Sequence, residues 1–249
     1  MLNKIVLLVT ILLCSSTIAL AEKTIVFAVP ATVPPMAFVS NDGKLEGYSV
    51  DYVKAMAEAV GFTPVFKNIP WGGIFAGLVA GEYDAICGAV SITEKRQQVV
   101  DFSDPYFEAW QALAVPQNSS VNSSTKTLSD LKGHKVGGKL GSTGFFTIQN
   151  TPGIEAQGFQ EISILMEALN SGQVAAIVYD QPQVAHYIKT QYRGSLKIAS
   201  MVDTGNKDFY GIAVKKENSE ILDLLNKGIK AVKDSGKDKG INQKWLDLN

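Results

Sequence analysis

The feature that most constrains this chain is an alternation of short apolar runs with amphipathic stretches, begun near the N-terminus and restarted near the middle. KTIVFAV (23–29), TPVFKNI (63–69) and YDAICGAV (83–90) are short, β-rich or apolar runs, fit for strands buried on both faces. Between them, YSVDYVKAMAEAVG (48–61) places Val50, Val53, Met56, Ala57 and Val60 on one helical face and stops at Gly61. Trp71 to Gly81 reads as a short helix with Ile74, Phe75, Leu78 and Val79 inward. A Pro-rich loop (Pro30, Pro34, Pro35) and a turn at Asn41-Asp42-Gly43 fill the gap before the first helix. Strand, helix, strand, helix, strand is the pattern of a parallel α/β unit.

A second series follows. TLSDLKG (127–133) is a short helix, HKVGGKL (134–140) a strand, and GSTGFF (141–146) opens a helix. EISILMEALNSG (161–172) is amphipathic, with Ile164, Leu165, Ala168 and Leu169 on its apolar side. QVAAIVY (173–179) is a strand, then come Asp180 and a helix through Lys189. SLKIAS (195–200) and FYGIAV (209–214) are strands, and two helices close the chain. In the first of these, Ile221, Leu225, Ile229 and Val232 form the inner stripe. QALAVPQNSSVNSSTK (111–126), strand-like and then Ser/Asn-rich, separates the two series. The expected architecture is two α/β lobes with two crossings: lobe 1 from residues 22–107 and 211–249, lobe 2 from 108–210. A cleft between lobes is a favoured place for a small ligand.

The first 21 residues stand apart. MLNKIVLLVTILLCSSTIALA has one early cation, Lys4, an apolar run from Ile5 to Leu13, and small residues ending at Ala21. That order predicts a secretory signal peptide cleaved after Ala21, since the run is short of the ~20 residues a membrane span needs. Cys14 would leave with it; bulky Leu13 is unsuited to a lipoprotein signal. The remaining Cys87, in an apolar run, reads as a small buried hydrophobe. A net charge of -1 in 249 residues, without a basic stripe, gives no case for a nucleic-acid partner. His134 and His186 are far apart in sequence, so no metal-spaced cluster appears, and neither a serine-nucleophile signature nor a phosphate loop is present. No cofactor or metal is expected.

SITEKR…DFSDPY (91–106) carries a resemblance to the polar amino-acid family of periplasmic solute-binding proteins, the ligand-capturing subunits of ABC importers. GKLEGYSVDYVKAMAEAVG, WGGIFAGLVAGEYDAI, LSDLKGHKVGGKLGST and LNSGQVAAIVYDQP resemble further family segments in the same order, over nearly the whole chain after residue 21. The resemblance implies a two-lobed α/β fold of type II with two hinge strands, closing on a free amino acid, and a membrane permease as partner. A monomer in the periplasm is expected. Residue by residue it puts Arg96 on the ligand α-carboxylate, with hydrogen bonds from Gly88, Ala89 and Ser91. It gives Asp180 the α-ammonium, Thr143 the far side of the carboxylate, and Trp71 a stacking position.

The residues themselves are compatible with those roles and with plainer ones. A guanidinium fits a carboxylate bidentately, and Arg96 sits near a helix start whose amides favour an anion. Taken alone, Arg96 reads as well as a solvated surface arginine. The helix cap is Thr93 or Ser91. Ser142 and Thr143 open a helix after Gly141, suited to N-capping and to an anion alike. Asp180 ends a strand, where α/β sheets present ligand groups, and also precedes a helix it could cap. DFSDPYF reads as a turn entering the first hinge.

For the ligand side chain, the family's basic-ligand and glutamine binders place an acidic residue in the first-strand loop. This chain has Pro30 there and Val33 three positions later. Lys139 matches a lysine that glutamine binders use near the ligand side chain, and it would repel a cation. The expected ligand is therefore a neutral polar amino acid such as glutamine, with an acidic one next. Two other functions fit the same fold. Cyclohexadienyl dehydratases resemble these binding proteins closely, but need a positioned general acid beyond Asp180. A ligand-sensing module would need a separate receptor, since the chain stops just after Trp245.

Overall fold

The structure, a computed structural model, describes residues 23–121, 128–202 and 208–246. The expected signal peptide lies outside these residues. Among those described, no helix is long and apolar enough to cross a membrane.

The first series runs β1 (Lys23–Val29), β2 (Thr32–Val33), β3 (Ala37–Val39), β4 (Leu45–Glu46), α1 (Tyr48–Val60), β5 (Phe62–Asn68), α2 (Ile74–Ala80), β6 (Ala85–Ile86), α3 (Glu94–Gln97) and β7 (Val100–Phe102). A connecting strand, β8 (Phe107–Ala109), leads to β9 (Gln111–Pro116), a one-turn 3₁₀ helix (Leu128–Leu131), β10 (Lys135–Lys139), α4 (Thr143–Gln149), β11 (Glu155–Phe159), α5 (Ile162–Asn170), β12 (Ala176–Asp180), α6 (Gln181–Thr190) and β13 (Leu196–Met201). The chain returns through β14 (Asp208–Tyr210) to β15 (Ala213–Lys215), α7 (Ser219–Ser235) and α8 (Lys237–Leu246).

Two five-stranded sheets result, ordered β5-β1-β6-β15-β7 and β11-β10-β12-β9-β13. In each, the first three strands are parallel, and the fourth comes in antiparallel after a crossing between the series. Strands β8 and β14 belong to neither sheet and pair antiparallel with each other, Phe107 opposite Tyr210. They are the two hinge strands.

Each sheet is covered on both sides, so its strands alternate between two cores. Along β1, Ile25, Phe27 and Val29 face the core under α1 and α7, while Ala28 faces Ile74 and Leu78 of α2. Along β12, Ile177 and Tyr179 face α5 and α6, while Ala176 and Val178 face Ile148 of α4. The α7 stripe of Ile221, Leu225, Ile229 and Val232 is buried as its periodicity predicts, and Gly61 ends α1 in the left-handed region. Cys87 is free and buried.

Several expectations need correction. Val79 and Ile164, placed inward by helical spacing, are exposed. The run 209–214 is not one strand: it changes sheets at Gly211, giving its first part to the hinge pair and its last to the lobe 1 sheet. The Pro-rich loop folds into a small sheet, β2-β3-β4, with the Asn41-Asp42-Gly43 turn between β3 and β4. DFSDPYF begins as β7 and becomes a turn only at Ser103. The Ser/Asn-rich segment 122–127 lies outside the described residues.

Candidate functional site

The site lies at the ends of strands that face each other across the hinge. Strand β6 leads into Gly88-Ala89-Val90-Ser91, where Gly88 (φ 111°) and Ala89 (φ 60°) both occupy the left-handed side of backbone space. A non-glycine residue there is strained, and such strain gathers at ligand clamps. Ser91 makes an isolated bridge to Tyr210, which ties this loop to the second hinge strand.

Thr93, not Ser91, caps α3, accepting from Arg96 N at 3.2 Å. The helix is a single turn, so its dipole adds little to an anion site. What aims Arg96 is its guanidinium's own bonding: Nη1 donates to Ser91 O at 2.7 Å and Nη2 to Gly141 O at 3.1 Å. The second bond spans the two lobes. Burial pulls the Arg96 guanidinium down from its ordinary value, opposed by Asp180 and Asp208. Trp71 stands three residues ahead of α2, not on it, and its ring lies 5.1 Å from the Arg96 guanidinium carbon, a cation–π distance.

From the second lobe, β10 ends in buried Lys139 and turns at Gly141 into α4. Ser142 caps α4, accepting from Phe145 N at 3.1 Å. Asp180 ends β12 at the N-cap position of α6 but makes no side-chain cap. Its carboxylate turns inward instead, accepting from Tyr210 Oη at 2.5 Å and from Gln111 Nε2 at 2.6 Å. The same nitrogen donates to Asp208 Oδ2 at 2.6 Å, with Thr143 Oγ1 3.0 Å away. Burial pushes the Asp180 carboxyl up to about 6; Tyr210 pulls against this and Asp208 adds to it.

One pocket is lined by all nine residues singled out from sequence: Trp71, Gly88, Ala89, Ser91 and Arg96 from the first series, Lys139, Ser142, Thr143 and Asp180 from the second. Pro30 and Val33 line it as well. Tyr179 lines it without having been expected. Gln111 and Tyr210, which bond Asp180, and Asp208, which shares the Gln111 amide with it, were also missed. The one signal for them in the sequence is Gln111, a lone amide heading the apolar run ALAV. The pocket thus offers a cation from one lobe, partly withdrawn from water, and a buried anion from the other.

Gly141 is needed twice here. Its φ is 75°, and a Cβ would come within 3.0 Å of Trp71 Nε1. Gly141→Ala should therefore cost about 1–3 kcal/mol from the left-handed backbone alone. A lower melting temperature, together with weaker amino-acid binding from the pressed Trp71, checks this.

Two sheets of order 2-1-3-n-4, joined by paired hinge strands around such a pocket, define a two-lobed periplasmic-binding-protein fold of type II. The chain belongs to the bacterial extracellular solute-binding proteins, family 3, whose model matches residues 25–248. It is 33% identical over 220 residues to a probable histidine-binding protein of Neisseria gonorrhoeae, covering 87% of this chain and 80% of that one. An ancestral arginine-binding protein solved with arginine superposes with a TM-score of 0.82 at 37% identity, over 90% of this chain and 99% of that one. The same description with glutamine bound gives 0.81 at 37% identity, over 90% and 98%. Relatives of this kind are amino-acid-binding proteins of ABC transporters, and amino-acid binding for import is the function they share with this chain.

Proposed function

We propose that the protein captures a free polar amino acid, glutamine-like in its side chain or else acidic, and delivers it to an ABC permease by hinge closure. The observation that carries this reading is the pairing of Arg96 and Asp180, opposite charges from opposite lobes on one pocket. Arg96 would take the α-carboxylate with backbone and hydroxyl help from Gly88, Ala89 and Ser91, and Ser142 and Thr143 would close on it from lobe 2. Asp180 would take the α-ammonium, and Trp71 would stack on the side chain. A ligand bridging both lobes binds the closed form better and so biases closure.

The side-chain preference rests on Pro30 standing where an acidic residue would serve a cation, and on buried Lys139 in the pocket wall. We assign residues 22–107 and 211–249 to lobe 1 and 108–210 to lobe 2, with residues 1–21 a signal peptide removed on export to the periplasm. The working unit is a monomer. A thermal-shift screen of residues 22–249 against free amino acids tests the reading, because a ligand bound only by the folded state raises its melting temperature. A neutral polar amino acid should give the largest shift; no shift with any amino acid would refute the proposal.

One observation favours a second reading. A buried carboxyl raised to about 6, as at Asp180, is what a general acid needs. A dehydratase-like activity would then show as product formed from prephenate or arogenate; its absence leaves binding alone.

A further inference from the structure

Glu161 immediately precedes α5, at a position where Ser, Thr, Asp or Asn normally caps a helix, and it caps nothing. Its carboxylate does two other things. Oε2 accepts from Thr32 Oγ1 at 2.6 Å, a bond from lobe 2 to the β2 edge of lobe 1. The same oxygen lies 3.7 Å from Lys139 Nζ. The Lys139 side chain is only 3% exposed, whereas that of Glu161 is 34% exposed. A cation so withdrawn from water needs a partner, and among the described residues Glu161 is the acidic group in ion-pair reach. At 3.7 Å the pair is loose, and an ammonium has three donors. Lys139 therefore keeps donors for the pocket it lines, beside Trp71 at 5.9 Å.

We infer that Glu161 is a specificity-determining residue: standing behind Lys139, outside the pocket lining, it balances the charge of Lys139 so that the side-chain end of the pocket selects a neutral side chain able to accept a hydrogen bond. A carboxamide or a neutral imidazole can receive from Lys139 in the pocket wall while Glu161 behind it keeps the ammonium paired. A ligand carboxylate would gain Lys139 but meet Glu161, and a guanidinium or ammonium would gain Glu161 but meet Lys139. Burial lowers the Lys139 ammonium from its ordinary value, opposed by Glu161 and then Asp180. The Thr32 bond gives Glu161 a second part: it reaches its full set of partners only when the lobes are shut. This inference rests on the reading of the cleft as an amino-acid site.

Calorimetry with L-glutamine, L-glutamate and L-arginine on the wild type, Glu161→Gln, Lys139→Met and Thr32→Val separates these points. The wild type should prefer glutamine. Glu161→Gln, nearly isosteric and at an uncapped position, should shift the glutamate-to-glutamine affinity ratio toward glutamate by on the order of tenfold or more. Lys139→Met should shift the arginine-to-glutamine ratio toward arginine. Thr32→Val should weaken glutamine and glutamate alike and leave their ratio unchanged. Ratios measured on one folded variant are insensitive to a general loss of stability. A Glu161→Gln ratio equal to that of the wild type, or a wild type that prefers glutamate or arginine, overturns the role of Glu161 while leaving the cleft an amino-acid site. A wild type that binds none of the common amino acids overturns both.

Discussion

Arg96→Ala should weaken the binding of a neutral amino acid such as glutamine by roughly 2–5 kcal/mol, the scale for removing one side of a buried charge pair. The loss has two sources under the proposed assignment. The ligand carboxylate loses its bidentate partner, and the closed form loses the Nη2 bond to Gly141 O across the lobes. The decarboxylated analogue of glutamine separates them. It should bind the wild type weakly and lose little more in Arg96→Ala, because only the cross-lobe bond remains to be lost. Calorimetry on both ligands reads the difference. Unchanged glutamine affinity in the variant would remove Arg96 from the site.

Asp180→Asn should cost a free amino acid a similar roughly 2–5 kcal/mol and should hardly affect the des-amino analogue of glutamine. Equal losses for both ligands would count against the ammonium role. The same carboxyl sets a pH dependence. Burial raises it from 3.8 to about 6 in the folded, ligand-free protein. The folded state therefore holds this proton more tightly than the unfolded chain does. The stability it contributes is fully present below 3.8 and is lost as pH rises through about 6. Amino-acid binding runs the other way, because an ammonium needs the carboxylate. Affinity for glutamine should fall as pH drops below about 6, while the melting temperature of the ligand-free protein gains from this group over the same interval. Asp180→Asn should abolish that interval's contribution to both curves.

Periodicity was most legible where elements are long and buried on a face. Strands β1 and β12 are apolar runs buried against a core on each face, and helices α1 and α7 follow their apolar stripes closely. It failed where elements have two or three residues, as in β2, β3 and β4, too short to show a period. It also missed β11, whose EAQGF carries polar residues and a glycine on a sheet edge. Val79 and Ile164 show the limit of apolar identity itself: a helix presents more apolar residues than its contact face needs.

The pocket residues were legible for another reason. Their motifs combine turn-forming glycines with charged or hydroxyl groups at strand ends, which is where the fold converges. The network behind Asp180 was not, because Gln111, Asp208 and Tyr210 come from a strand and a hinge far apart in the chain and meet only after both crossings. Glu161 was hidden for a similar reason. Its partners, Lys139 and Thr32, come from another strand of its own lobe and from the facing lobe.

The central claim is that one amino acid spans the lobes with its two ends on Arg96 and Asp180. A crystal structure of residues 22–249 with glutamine, or with whichever amino acid shifts the melting temperature most, tests it most directly. The ligand carboxylate should be hydrogen-bonded to the Arg96 guanidinium, with the Gly141 O bond kept, and the ammonium should lie on the Asp180 carboxylate. A ligand bound in the reverse orientation, or outside this cleft, would contradict it.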